Sequence, residues 1–183
     1  MLLYLKSLLQ LVLAPNEGWE DVAIDDREPS SLTVAGFFPL LILASATVFM
    51  SVVYHISAEV SVLIQRAVVM FMKYVVTYFI GLWTFGALLS RYTVEEPDER
   101  RIQTFLAYSV SLMAIVSILS NCLPMELPVI RFLPLYVLLI MFRGATYLDI
   151  RPGCHVSFII MAFCSVMIPP VAFTMLFNLI IPS

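Results

Sequence analysis

TVAGFFPLLILASATVFMSVVY, Thr33 to Tyr54, is a run of 22 residues without a single charge. As a helix rising ~1.5 Å per residue it reaches past the ~30 Å hydrocarbon core of a bilayer. Lipid offers its backbone N–H and C=O groups no partner, so a lone segment must satisfy them by coiling. Further apolar stretches follow between polar turns. The reading that decides the fold is therefore an all-α polytopic membrane protein, with five transmembrane helices expected at about 33–54, 67–90, 102–120, 129–148 and 155–181.

Composition agrees with the segments. Hydrophobic residues make up 61% of the 183-residue chain and charged residues 13%, where soluble domains carry about a quarter charged. Mean hydropathy is +0.97. The formal charge is −3 and the basic residues are dispersed, so no nucleic-acid partner is expected. A cleavable signal peptide is not expected either. MLLYLKSLLQLVLAP has no basic segment ahead of its apolar one and no small-x-small site.

Residues 1–32 read as a separate unit ahead of the membrane domain at 33–183. Leu2, Leu3, Leu5, Leu8, Leu9, Val12 and Leu13 recur at helical spacing around a narrow stripe of Lys6, Ser7 and Gln10. This amphipathic helix is too short to span and is placed in the membrane interface. Pro15 ends it, and the acidic connector 16–31 follows with Trp19 as an interfacial anchor.

Proline and charge punctuate the rest. Pro97 suits a first helical turn, which starts the third span near Ile102. Pro124 and Pro128 break the chain before the fourth span, and the pair Pro169-Pro170 must kink or break the fifth. Lys6, Arg27, Arg91, Arg100, Arg101, Arg143 and Arg151 fall on one side of this arrangement. Arg66 and Arg131 fall on the other, with Lys73 just below that surface. The positive-inside rule then places the N-terminus inside and the C-terminus outside.

Ionisable groups within spans invite a functional reading because they are costly to insert. Lys73 lies ~9 Å into the second span and shares a stripe with Thr77, Ile80, Gly81 and Thr84. It snorkels to the headgroups, pairs with Glu59 or Glu126, or joins a polar path with Ser109, Ser117 or Asn178. Lys73, Thr77 and Thr84 are the candidate intramembrane polar site. Arg131 and Arg143 bracket the fourth span ~18 Å apart. With Asp149 and Arg151, Arg143 forms an expected inner-face charge cluster. Trp19, Arg143, Asp149 and Arg151 are candidate contacts there for an anionic lipid headgroup or a protein partner.

No enzyme, cofactor or metal is expected. His55 and His155 fall on opposite sides of the membrane, and Cys122, Cys154 and Cys164 are spread along the chain. Phosphate-loop, zinc-protease, hydrolase and dinucleotide motifs are all missing from the sequence.

One resemblance covers nearly the whole chain. Pro15, Gly18 and Trp19 in LAPNEGWEDVA carry it, with Phe38-Pro39-Leu40, IQTFLAYSVSL at 102–112 and LYVLLIMFRGATYL at 135–148. Together they resemble the Yip1 family, in particular its short prokaryotic members. The resemblance implies a five-span fold and an inner (plasma) membrane location. Eukaryotic members bind small GTPases; their aspartate-leucine-tyrosine-glycine-proline element is absent here, so that partner is not carried over. The expected function is a non-enzymatic membrane scaffold or adaptor, acting through membrane, lipid or protein contacts, with itself or other membrane proteins as partners. The alternative is a small channel or transporter, possible as an oligomer, with a polar path through Lys73.

Overall fold

The computed structural model describes residues 1–25, 28–53, 59–94, 98–123 and 128–180. Two short helices come first, α1 (Leu2–Leu13) and α2 (Pro15–Ile24), folded back on one another as a hairpin. The first apolar rod is composite: α3 (Pro29–Leu32), a π-helical turn (Thr33–Phe37), α4 (Phe38–Ala46) and a 3-10 stretch (Thr47–Val53). The remaining helices are α5 (Val60–Leu88), α6 (Glu99–Cys122), α7 (Pro128–Arg143), α8 (His155–Val166) and α9 (Ile168–Ile180).

Four rods are long and apolar enough to cross a membrane: Pro29–Met50, Val60–Arg91, Glu99–Cys122 and His155–Leu179. The fourth expected span is shorter than read from sequence. Its helix is the 16-residue α7, and 144–149 are turn. At ~1.5 Å per residue α7 covers ~24 Å, less than a hydrocarbon core. The second span is longer than expected and begins at Val60, so Arg66 lies within the helix.

Proline explains the irregular rods. Pro39 has no N–H for the carbonyl of Ala35, and its ring crowds that oxygen. The helix widens just before it, and the Phe38 N–H bonds back to the Thr33 carbonyl across a π turn. Pro169-Pro170 break their rod at Met167. Both then sit in the first turn of α9, where helical N–H groups lack partners anyway.

The bundle is organised on α6. Of its apolar window 61% is buried, against 33% for α5. Every residue from Thr104 to Leu112 is buried. Three polar rungs fasten neighbours to this axis. The Tyr4 hydroxyl from α1 donates to the Ala107 carbonyl at 3.1 Å and meets Ser111 Oγ at 2.7 Å. The Tyr74 hydroxyl from α5 donates to the Met113 carbonyl at 3.0 Å and meets Ser117 Oγ at 2.5 Å. In both, a tyrosine is interposed between a carbonyl and the serine four residues later, which would otherwise bond back to it. Asn121 Nδ2 donates to Thr47 Oγ1 at 3.0 Å, tying the far end of α6 to the first rod.

Close approach at Gly36 seats the first of these rungs. A Cβ there would run into the Tyr4 ring, which also stacks on Tyr108 at 4.8 Å. Gly36→Ala should therefore destabilise the protein by about 1–3 kcal/mol through overpacking, while Tyr4→Phe should lose about 1 kcal/mol with its hydrogen bond. Thermal unfolding in detergent checks both. In a double-mutant cycle, Gly36→Ala should cost far less when Tyr4 is already Ala; equal costs would mean the ring is not what Gly36 accommodates.

Candidate functional site

The chemistry gathers at one end of the bundle, where α5 ends, α6 begins and α7 turns into α8. The turn after α7 is built by two backbone features. Gly144 is packed so tightly that a Cβ would lie 2.6 Å from Phe105 Cε2 and 2.9 Å from Trp19 Cε2. Asp149 takes a left-handed conformation with φ of 52°, which a short polar side chain tolerates better than most. The turn is then knitted to the segment after α5. Thr93 and Ile150 form an antiparallel bridge, and the Arg151 N–H donates to the Tyr92 carbonyl at 2.9 Å.

Arg101, in the first turn of α6, closes the cluster. Its Nη1 lies 2.5 Å from Asp149 Oδ2 and 3.3 Å from the Tyr147 carbonyl. From sequence Arg101 counts only toward orientation, and its pairing is not legible there, because the two residues are 48 positions apart and no local pattern joins them. Burial pushes the Tyr147 hydroxyl up to about 12, against the lowering effects of Thr104 and Arg101. Tyr147 is therefore a neutral hydroxyl at physiological pH.

Trp19 is placed differently from the expectation. Where the sequence suggests an exposed interfacial anchor, the structure has it buried, 2% exposed. Its Nε1–H donates to the Ile140 carbonyl at 2.9 Å. Its ring stacks on Phe105 at 5.1 Å and Tyr147 at 5.3 Å. The physical reason is that an indole with a buried acceptor gains more from a packed socket than from the interface. Phe105 and Tyr108, whose ring meets the indole edge-on at 6.4 Å, come from 102–112, and Tyr147 and Gly144 from 135–148, so the stretches singled out in the sequence meet around this ring. A groove of about 430 Å³ opens beside it, lined by Asn16, Trp19, Glu20, Ala23, Thr146 and Tyr147.

Arg143 and Arg151 are exposed at this end, as are Arg91 and Arg100. None of the four has a carboxylate at ion-pair distance among the described residues. Glu17, Glu20 and Asp21 are exposed on α2 beside them, so the end presents both signs of charge. Arg27 lies outside the described residues.

The intramembrane candidates do not assemble. The Thr77 hydroxyl donates to the Lys73 carbonyl at 2.6 Å and the Thr84 hydroxyl to the Ile80 carbonyl at 2.8 Å. Ser117 is engaged by Tyr74, Ser109 is fully buried, and Asn178 is exposed on α9. Lys73 is half-buried beside the Tyr74 ring, with no ion pair to Glu59. Glu126, His55 and the Arg131 side chain lie outside the described residues. Among the described residues no cluster of three His, Cys, Asp or Glu side chains is placed to hold a metal.

Magnitudes decide what holds this end together. The Arg101–Asp149 side chains are 46% and 64% exposed, and such pairs contribute about 0–1 kcal/mol. Truncating a buried tryptophan costs about 3–5 kcal/mol. Trp19→Ala should therefore lower the unfolding temperature strongly and expose residues 2–24 to hydrogen exchange, while Arg101→Gln should change both little. A larger effect from Arg101→Gln would reverse that order.

The chain matches no family model, no curated protein and no solved structure.

Proposed function

We propose that this protein is a non-enzymatic scaffold or adaptor of Yip1-like type in an inner (plasma) membrane, acting through membrane, lipid and protein contacts. The observation that carries this reading is the use of polar groups inside the bundle. Tyr4, Tyr74, Ser111, Ser117, Asn121, Thr77 and Thr84 all spend their hydrogen bonds on helices, their own or a neighbour's. A conduction or transport path needs such groups facing a shared cavity. What remains open to partners is the arginine-rich end, with the acidic face of α2 and the groove beside Trp19.

In this reading α7 is the fourth of five crossings. The chain leaves the Cys122 end of α6 and returns to the Arg101 end, because the turn after α7 pairs with Arg101. A crossing of only ~24 Å of helix is accommodated by local thinning or by flanking residues. The arginine-rich end faces the cytoplasm, the N-terminal hairpin lies on that side, and the C-terminus lies outside.

Orientation is tested with single-cysteine variants that retain Cys154 or Cys122. A membrane-impermeant thiol reagent applied to intact cells should label Cys122 and spare Cys154 until the membrane is opened. The reverse pattern would invert the topology.

Function is tested by solute and ion flux across liposomes containing the purified protein, with Lys73→Leu in parallel. The scaffold reading expects flux equal to that of empty vesicles and no effect of the variant. Selective flux that Lys73→Leu abolishes would instead make the protein a channel or transporter.

A further inference from the structure

α5 carries two cations on one face at the end away from the arginine cluster. Arg66 and Lys73 are seven residues apart, so they project from nearly the same side, about 10 Å apart along the axis. Arg66 is exposed and Lys73 half-buried. One turn to one side of Lys73, Met70 and Thr77 are enclosed by the bundle; to its other side Met72 and Ile80 face outward. Lys73 thus stands on the seam between the packed face and the outer surface of α5.

Neither cation has a carboxylate at ion-pair distance among the described residues. The Thr77 hydroxyl is turned to the Lys73 carbonyl and does not serve the ammonium. The aromatic face of Tyr74, 4.9 Å from Lys73 Nζ, supplies weak attraction and no negative charge. The missing complement is an anion, and depth says where it comes from. With Arg91 at one edge of the hydrocarbon, the roughly 20 residues that fill the core end near Phe71. Lys73 then lies just inside the far boundary and Arg66 just outside it. The phosphate layer of the bilayer falls between them.

We propose that Arg66 and Lys73 form a binding site for the phosphate of an anionic phospholipid, in the leaflet at the Val60 end of α5. The guanidinium holds phosphate oxygens from the headgroup side, where its planar fork suits them. The ammonium reaches up along its four-carbon stem from the acyl side. An acyl chain runs down the outward face past Met72, Phe79 and Ile80, which are 42%, 58% and 39% exposed. This explains a lysine inside an apolar helix without a polar path. The site depends on the membrane placement of α5 and not on the scaffold reading, which the flux measurement tests separately.

The test uses the full chain purified in detergent, with lipid binding followed by native mass spectrometry. The probes are phosphatidylglycerol, phosphatidylcholine and inorganic phosphate. Phosphatidylglycerol should bind in preference to phosphatidylcholine. Lys73→Gln and Arg66→Gln should each weaken it by about five-fold, and the double variant should show no preference. Lys73→Arg, which keeps the charge, should retain binding. Wild-type binding in the double variant would overturn the site. So would displacement by inorganic phosphate at equal concentration, since the ligand would then not be a lipid. Tighter phosphatidylglycerol binding in Glu126→Gln would overturn it too, because Lys73 would belong to that carboxylate.

Discussion

Lipid tails are as apolar as leucine, so burying one more apolar helix inside a bilayer gains little from the hydrophobic effect alone. Everything in this bundle depends on how the stretch 104–112 of α6 is nevertheless enclosed on all sides. The answer is shape together with a few polar rungs. Tyr4, Tyr74 and Asn121 bring α1, α5 and the first rod onto one axis. Gly36, Gly81 and Gly144 let rings and branched side chains come close enough to make dispersion contacts. The two tyrosine rungs are six residues apart on α6, hence on different sides of it, so they fix two neighbours instead of one.

The apolar rods were legible because their cause is local: length and absence of charge. Their ends were less so. GATYL after Arg143 reads as helix by hydropathy, yet it is a turn, because Gly144 is packed under Trp19 and Phe105 and Asp149 takes a positive φ. Neither fact has a trace within a window of that segment. The start of α5 was misplaced for the opposite reason. Arg66 reads as a loop charge, but a helix can carry arginine at the level of the headgroups.

The candidate site was legible as a set of charges and not as an arrangement. Arg143, Asp149 and Arg151 do share one end of the fold. Their organiser is Trp19, whose acidic neighbours suggest a surface position and whose hydrogen-bond acceptor, Ile140, lies 121 residues away. Sequence separation of that order hides the pairing of Arg101 with Asp149 as well. The hydroxyls on the Lys73 stripe are a different case. Thr77 and Thr84 look like a polar path when only their helical offsets are known, and only the direction of each O–H shows that their bonds close on the helix itself.

Those long separations also order the events of biogenesis. The socket for Tyr4 is on α6, and the acceptors of Trp19 and Tyr136 lie across from each other on α7 and α1. Ser111, Ile140 and Tyr136 do not exist when the ribosome has made only the first rods. Residues 2–24 are thus made before the partners that hold them in place. Until α7 emerges, the N-terminal hairpin lacks the partners of Trp19 on that helix, and the bilayer surface is the ready shelter for its apolar side chains.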